Sequence, residues 1–281
     1  MAAIARADGP AARWITPGRA SVTLAAVLVA IIAFVTRQHV AVEHTQAVDA
    51  ITQSNSNLAI AYEENAAGTI ADIDESLQLL ERAYREKGVW DAVQISDDWP
   101  MNRALIRGLA FTREDGEAIY ATGDEPASAR TRLAHLDYHR TARIHAMRIG
   151  SPERVLLGGA WRIPMSRRIA KADGSFGGIV FAMVDPAYLA RFYGRTNLGE
   201  HDLVALVGLD GIALARHTGG KTAFGDDMRM STLMAQLAQR ASGNYRSAGK
   251  REGVVRLVSY RTMDRFPLVV EVGVSEEEAL E

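Results

Sequence analysis

The feature that most constrains this chain is an uncharged, strongly hydrophobic run from Ser21 to Val35, close to the N-terminus. As a helix rising about 1.5 Å per residue, the run covers roughly 22 Å, less than the roughly 30 Å hydrocarbon core of a bilayer. A membrane span therefore needs the flanking residues too, and we predict it over residues 15–36, with Trp14 at the interface. A cleaved signal peptide and a buried core helix are the alternatives.

The charges around this run predict its orientation. Arg6, Arg13 and Arg19 precede it, whereas Arg37 and Glu43 follow it. Because the basic side of a membrane span stays in the cytoplasm, residues 1–14 are predicted to be a cytoplasmic tail. Everything after the span is then predicted to lie outside the cytoplasm.

Composition and motifs exclude several classes of function. The net charge of -2 argues against a nucleic-acid partner, and the absence of cysteine excludes disulfides and thiolate metal sites. The chain has no phosphate-binding glycine loop, no Gly-x-Ser-x-Gly and no His-Glu-x-x-His, so no catalytic function is predicted. His135 and His139 could share a helical face, but no third ligand has matching spacing. The sequence therefore predicts neither a metal site nor a cofactor.

A long helix is predicted after the membrane span, over residues 37–88. This stretch has no proline, and Gly88 is a helix-ending signal. Its apolar residues recur in steps of three and four, as in one helical stripe: Ile70, Ile73, Leu77, Leu80 and Tyr84. A helix of this length is typical of a stalk that links a membrane span to a distal domain. The polar residues 53–56 predict a helix-pairing segment, and hence a homodimer formed through the stalk.

Short strands separated by turn signals follow the stalk. Asp115-Gly116 and Asp210-Gly211 each predict a hairpin. Matching positions recur at roughly 90 to 95 residues: Asp115 with Asp210, Ser166 with Ser259 and Ile179 with Val269. The sequence therefore predicts an α+β fold with two copies of one antiparallel unit, at residues 89–195 and 196–275, although chance similarity is the alternative. Residues 276–281 are predicted to start a helix toward a second membrane span outside this chain.

Several strings of residues carry a family resemblance that covers almost the whole chain. They are residues 57–59 and 77–80 in the stalk, then Leu136–Arg140, Trp161–Arg168, 173–180, 184–189 and Asp210-Gly211. Together they resemble the double Cache (PDC-type, PAS-like) sensor domains of bacterial transmembrane receptors with diguanylate cyclase or histidine kinase outputs. The resemblance implies a transmembrane helix, a stalk helix and two PAS-like antiparallel-sheet lobes in tandem. It also implies a bacterial inner membrane location, with the first lobe distal to the membrane.

The same resemblance implies a small-molecule site in the distal lobe. The candidate residues are Tyr138, His139, Arg140, Trp161, Arg162, Ser166, Arg168 and Asp185. An aromatic wall, a guanidinium for a carboxylate and an acid for an amine suit a small polar metabolite. Strand alternation separates Trp161 from Arg162, Ser166 and Arg168, but does not show which face lines the pocket. Asp185 fits a helix cap before Pro186 as well as a ligand contact.

One position departs from the family pattern. Many amino-acid-binding members carry an arginine two residues before the aromatic of the Tyr138 region, and Leu136 stands there in this chain. A carboxylate, a polyamine or another small metabolite is therefore expected as readily as an amino acid. The predicted function is a sensing module whose output domain lies outside this chain. The alternatives are a membrane-anchored envelope protein that binds a partner protein, and an anchored hydrolase.

Overall fold

A computed structural model describes residues 17–98, 104–123, 147–154, 159–191, 199–248 and 252–280. The chain forms two compact units, Met1–Asp49 and Ala50–Glu281. Helix α1 runs from Pro17 to Lys87. In the N-terminal unit its apolar side chains are exposed, from Leu24 to Val42. Of the described helices, this one is long and apolar enough to cross a membrane, judged by length and composition.

The first sheet lies in the C-terminal unit and is antiparallel throughout. Its strands are β1 (Ile106–Thr112), β2 (Ala118–Gly123), β3 (Met147–Ile149), β4 (Glu153–Arg154), β5 (Trp161–Ala170) and β6 (Phe176–Val184). They are ordered β2-β1-β6-β5-β3, and β4 also pairs with β5. Helix α2 (Val89–Asp98) precedes this sheet and helix α3 (Pro186–Leu189) follows it.

The second sheet repeats this plan. Its strands are β7 (Leu203–Gly208), β8 (Ala213–Thr218), β9 (Lys221–Ala223), β10 (Ser242–Arg246), β11 (Arg256–Thr262) and β12 (Leu268–Ser275), with helices α4 (Thr232–Leu237) and α5 (Glu276–Leu280). The order is β10-β11-β12-β7-β8-β9. The path β8-β7-β12-β11-β10 therefore matches β2-β1-β6-β5-β3 in chain order. The α+β fold with two like antiparallel sheets, predicted from the sequence, is confirmed.

The two Asp-Gly signals form equivalent hairpin turns. Gly116 and Gly211 both have φ of +82°, a region that glycine enters without steric cost. The preceding aspartates fix the turns: Asp115 Oδ1 accepts a hydrogen bond from the Glu117 backbone N–H, and Asp210 Oδ1 accepts one from Ile212. Identical local chemistry at the two turns explains why the repeat is visible in the sequence.

One stripe of α1 joins both sheets in a single hydrophobic core. Its buried members recur every three or four residues: Ala59, Tyr62, Ala66, Ile70, Ile73, Leu77, Leu80 and Ala83. The same cluster contains Met165 and Val180 of the first sheet, and Leu206 and Val270 of the second. Burial of this stripe, rather than helix propensity alone, holds the C-terminal half of α1 in place.

An ion pair ties α1 to each sheet. Arg167 Nη1 of β5 lies 2.5 Å from Asp74 Oδ1, and Arg261 of β11 pairs with Glu63. Both arginines therefore point toward α1 from corresponding strands. The two sheets thus use the same kind of face to pack on the helix.

The polar residues predicted to pair stalk helices contact the second sheet instead. Asn55 Nδ2 donates to the carbonyl oxygen of Leu257 over 2.8 Å, and the hydroxyls of Ser56 and Ser259 are 3.3 Å apart. The helix-pairing interpretation of this segment was wrong for Asn55 and Ser56, because their side chains form hydrogen bonds with residues of strand β11. Ser259 therefore lies on the face toward α1.

Each sheet has an α1 face and an outer face. In the first sheet the α1 face carries Ile163, Met165 and Val180, whereas the outer face carries a separate apolar group of Ala110, Ile179, Phe181 and Met183. Ser166 pairs directly with Phe181, so it lies on the outer face. The sequence alignment of Ser166 with Ser259 was therefore off by one residue, since these serines point to opposite faces.

Candidate functional site

The outer face of the first sheet brings together three polar side chains from neighbouring strand positions. Ser166 pairs with Arg148 of β3 on one side and with Phe181 of β6 on the other, and Arg168 pairs with Ile179. Residues that pair directly across antiparallel strands share a face. Arg148, Ser166 and Arg168 therefore form a polar strip beside the apolar group of the outer face.

Each residue of this strip has a buried polar atom without a hydrogen-bond partner among the described residues. These atoms are Ser166 Oγ, Arg148 Nε and Arg168 Nε, and Ser166 is fully buried. Leaving a buried donor or acceptor unpaired costs about 1–3 kcal/mol, so such atoms are uncommon in native proteins. Three of them on adjacent positions of one face mark a place where a polar molecule would gain hydrogen bonds.

The two guanidinium groups give the strip its chemistry. Arg168 Nη2 donates to the carbonyl oxygen of Gly174 over 2.7 Å, which holds the side chain along the sheet while Nε stays unpaired among the described groups. A guanidinium offers several N–H donors in a fixed plane and matches a carboxylate. The arrangement is therefore suited to an anionic or zwitterionic group, with the Ser166 hydroxyl as a further donor or acceptor.

Arg162 lies on the same outer face, two residues before Pro164. It is 8% exposed, and its Nη1 donates to the carbonyl oxygen of Trp161 over 2.8 Å. Its cross-strand neighbour is Glu153 of β4. The structure thus groups three predicted site residues, Arg162, Ser166 and Arg168, along one face of β5.

Trp161 is separated from that group. Its ring lies against Gly225 of the second sheet's connecting segment, where an added Cβ would come within 2.9 Å of the indole. The Arg154 guanidinium carbon lies 5.0 Å from the centre of the same ring. In this structure Trp161 therefore contributes to the contact between the two sheets.

Asp185 follows the last residue of β6 and caps helix α3. Its Oδ1 accepts a hydrogen bond from the Ala187 N–H over 3.0 Å, and Pro186 occupies the first helical position. Its other oxygen faces Arg107 Nε at 3.4 Å. The capping interpretation of Asp185 is thus observed, and its role as a ligand contact stays a prediction.

The remaining predicted residues, Tyr138, His139 and Arg140, lie outside the described residues. Arg148 was not among the predicted residues, although its alternation with Met147 and Ile149 is a weak strand signal that could have found it. Among the described residues, no group of three or more His, Cys, Asp or Glu side chains is placed to hold a metal ion.

Comparison with known proteins supports the sequence-based resemblance. Residues 186–273 match the family model dCache_1_like, described as a histidine kinase sensor domain. A search of curated proteins finds no significant match. The extracellular domain assigned to the histidine kinase rpHK1S-Z16 has a similar structure, with a TM-score of 0.69 and 25% sequence identity, covering 82% of this chain and 96% of that one.

Two chemoreceptor domains share the fold at lower identity. The ligand-binding domain of Pseudomonas aeruginosa PctB, in complex with L-Arg, has a TM-score of 0.63 and 13% identity, covering 82% of this chain and 97% of that domain. The domain of Pseudomonas fluorescens CtaA, in complex with L-serine, has a TM-score of 0.62 and 13% identity, covering 82% and 99%. The predicted resemblance is confirmed: residues 186–273 match a dCache-type sensor-domain model, and the fold resembles that of the extracellular sensor domains of histidine kinases and chemoreceptors.

Proposed function

We propose that this chain is the sensing part of a transmembrane signalling receptor, anchored in a bacterial inner membrane by the N-terminal part of α1. An exposed apolar helix that follows a basic tail supports the anchor. We assign residues 15–36 to the span and 37–88 to the stalk. Residues 89–195 form the membrane-distal lobe in this assignment, and residues 196–275 form the membrane-proximal lobe.

The proposed ligand is a small metabolite with a carboxylate, alone or together with an amine, bound on the outer face of the first sheet. The single observation that carries this proposal is the strip of Arg148, Ser166 and Arg168, whose buried polar atoms lack partners among the described residues. Arg168 and Arg148 would donate to a carboxylate, and Phe181 and Met183 would contact the apolar part of the ligand. The amino acids in the PctB and CtaA complexes belong to this chemical class.

Signal transmission would use the α1 stripe that packs on both sheets. A ligand that binds one arrangement of the first sheet better than another shifts the population toward that arrangement. Because Asp74 is tied to Arg167 on β5, a movement of β5 would be felt by α1. In a homodimer formed through the stalk, this movement would reach an output domain, a cyclase, a kinase or a chemotaxis module, on a continuation of the chain.

A thermal-shift screen of the full chain in nanodiscs tests the proposal. The panel contains amino acids, carboxylates, amines and purines. A ligand at a hundred times its dissociation constant stabilises the folded state by about 2.7 kcal/mol, roughly 5 to 10 °C in Tm for a domain of this size. We expect a hit whose Tm shift is lost in Arg168→Ala.

Lys171→Ala is the matched control for that variant. Lys171 lies in the same β5–β6 hairpin and pairs with Glu114, and its removal takes away one positive charge without altering the outer-face strip. We expect this control to keep the full Tm shift. A hit that persists in both Arg168→Ala and Ser166→Ala would contradict binding at this face, and a silent screen on folded protein would favour recognition of a partner protein.

A further inference from the structure

A cavity of about 300 Å³, lined by both polar and apolar side chains, lies on the outer face of the second sheet. It is lined by side chains of β7, β8, β10, β11 and β12 and by the segment around Met228 and Met230. Met228 is buried whereas Met230 is almost fully exposed, so the cavity runs from the sheet to the surface beside these two methionines. Its volume is at the lower end of the range for small-molecule sites.

The two arginines that line the cavity already have acidic partners. Arg256 Nη2 donates to Glu252 Oε2 over 2.7 Å, and Arg216 pairs with the other oxygen of Glu252. Arg216 also lies 3.7 Å from Asp226. Both guanidinium groups are nearly fully buried, so their charges are balanced locally by these carboxylates.

Glu271 is the acid of this cavity that has no cation bonded to it among the described residues. It lies in the middle of β12 and is 2% exposed, and its Oε1 accepts a hydrogen bond from the Tyr245 hydroxyl. Its Oε2 is buried without a hydrogen-bond partner among the described residues. A buried carboxylate oxygen in a cavity wall is an acceptor that lacks a donor.

The charges of the lining indicate which kind of molecule would supply the donor. Three arginines and four carboxylates lie in the lining or are paired directly with it, so the balance of this cluster is acidic by one charge. The arginines are Arg216, Arg229 and Arg256, and the acids are Asp226, Asp227, Glu252 and Glu271. Asp227 is bonded to Arg229, and Glu252 is bonded to both lining arginines. Among these acids Glu271 is the one without a bonded arginine among the described residues, and the apolar side chains of Leu203 and Met228 line the same cavity.

We propose that this cavity is a second ligand site and that it binds a small aliphatic amine as its ammonium ion. The ammonium group donates to Glu271 Oε2, while the alkyl chain contacts Leu203, Met228 and Met230. An ammonium ion suits the site because it carries several donors and one compensating charge on a short, flexible chain. This inference does not depend on a ligand in the first sheet.

Methyl-labelled methionine in the full chain, observed by NMR in nanodiscs, tests the proposal locally. Met228 and Met230 report on this cavity, whereas Met183 reports on the outer face of the first sheet. The probes are n-butylammonium and its neutral counterpart n-butanol. We expect n-butylammonium to shift the Met228 and Met230 signals saturably and to leave Met183 unchanged, with no shift from n-butanol.

Two variants identify the group that recognises the amine. Glu271→Gln keeps the side-chain size but removes the charge, and we expect at least tenfold weaker n-butylammonium binding. Tyr245→Phe keeps the carboxylate and should retain binding within a few-fold. If Glu271→Gln does not fold, the comparison of n-butylammonium with n-butanol on the unaltered chain still decides the question.

Three results would overturn the inference. They are the absence of a Met228 or Met230 shift at millimolar n-butylammonium, equal shifts from n-butanol, and unchanged affinity in folded Glu271→Gln. Each of these leaves the proposed function untouched, because Met183 and the Arg168→Ala variant test the first sheet separately. Conversely, a thermal-shift screen without a ligand that depends on Arg168, together with a Met228 shift from n-butylammonium, would contradict the proposed function and support this second site.

Discussion

The two sheets have the same strand order, but the polar side chains on their outer faces differ in how many of their polar atoms have hydrogen-bond partners among the described residues. Arg162 of β5 and Arg256 of β11 are register equivalents, because the α1-facing arginines Arg167 and Arg261 each lie five positions further along their strands. In the second sheet Arg256 belongs to a network with Glu252 and Arg216.

In the first sheet, by contrast, the outer face leaves polar atoms of Arg148, Ser166 and Arg168 unpaired among the described residues. Ser166 and Phe181 occupy the places that Tyr260 and Glu271 occupy in the second sheet. The α1 faces are therefore constrained alike by packing on one helix, whereas the outer faces are free to acquire different chemistry.

The largest expected effect is a loss of stability on truncating a core side chain. It should differ in extent between the hydrophobic cluster shared by both sheets and the cluster of the second sheet alone. Leu77 lies in the cluster that joins α1 to both sheets, whereas Leu233 lies in the cluster of the second sheet's outer face. Both side chains are fully buried, so each change to alanine should cost about 2–5 kcal/mol. Hydrogen exchange should show faster exchange in both sheets for Leu77→Ala, but only in the second sheet for Leu233→Ala. Equal exchange patterns for the two variants would show that the two hydrophobic clusters do not unfold separately.

The next effect concerns the pH dependence of stability in the second sheet. Burial raises the pKa of Glu271, although Tyr245, Arg216 and Arg256 act in the opposite direction and Glu252 adds to the increase. A raised carboxyl pKa means that the folded state holds the proton longer than the unfolded state does. This contribution to stability is therefore present at low pH and is lost as the pH rises from about 4.5 through the folded-state value.

Glu271→Gln should remove that loss. The stability of the variant relative to the unaltered chain should rise with pH above about 4.5 and then level off, measured by urea unfolding at several pH values. Glu252 contributes the opposite trend. Partial burial would raise its pKa, but Arg216 and Arg256 outweigh this and lower it, so its contribution is lost in acid. Both proteins keep Glu252, and a stability difference that does not change with pH would contradict the assignment.

Loss of the Asp185 cap should have an effect of about 1 kcal/mol. Asp185→Ala removes the acceptor of the Ala187 N–H, which lowers the free energy of unfolding by about this amount. Asp185→Asn keeps a capping oxygen and removes the charge opposite Arg107. We therefore expect near-normal stability for the asparagine variant, checked by chemical denaturation. If it is as unstable as the alanine variant, the charge matters more than the cap.

Ser166→Ala should stabilise the unliganded protein by up to about 1 kcal/mol, because it removes a buried hydroxyl that has no partner among the described residues. The same substitution should weaken the response to a ligand found in the screen. A gain in stability without ligand, together with a smaller ligand-induced Tm shift, would indicate that Ser166 serves binding rather than stability. Thermal unfolding with and without the ligand measures both quantities, and a loss of stability in the absence of ligand would show that the hydroxyl has a structural role.

The smallest expected effects concern the two ion pairs between α1 and the sheets. The Asp74 and Arg167 side chains are 16% and 20% exposed, whereas Glu63 and Arg261 are 14% and 43% exposed. Because solvent weakens ion pairs, double-mutant cycles should give a coupling of about 1 kcal/mol for the first pair and about 0.5 kcal/mol or less for the second. A stronger coupling for Glu63 with Arg261 than for Asp74 with Arg167 would contradict this expectation.

Local signals explain what the sequence predicts well. Gly116 and Gly211 need a left-handed backbone that glycine supplies, and Asp115 and Asp210 fix the same turns, so these hairpins were predicted correctly. The stripe from Ile70 to Leu80 follows helical spacing and is buried as expected. These features depend on residues a few positions apart, which a single sequence displays directly.

Features that depend on distant partners were missed. Strand β10 (Ser242–Arg246) has a polar sequence and is stabilised by its pairing with β11, so alternation did not reveal it. Strand alternation divided β5 into two faces, but contacts with distant residues, such as that of Arg167 with Asp74 and the packing of Met165 with the α1 stripe, show which face meets α1. Glu271 was overlooked although a charged residue inside an apolar strand is itself a signal of a buried polar site.

The most direct test of the account compares the two faces of the first sheet while a ligand binds. Met183 lies on the outer face and Met165 on the α1 face, so their methyl signals distinguish the two sides of one sheet. We expect a ligand identified by thermal shift to perturb the Met183 signal directly at saturation, and we expect Arg168→Ala to abolish the perturbation. A ligand that stabilises the protein but leaves Met183 unchanged would contradict binding at the outer face of the first sheet.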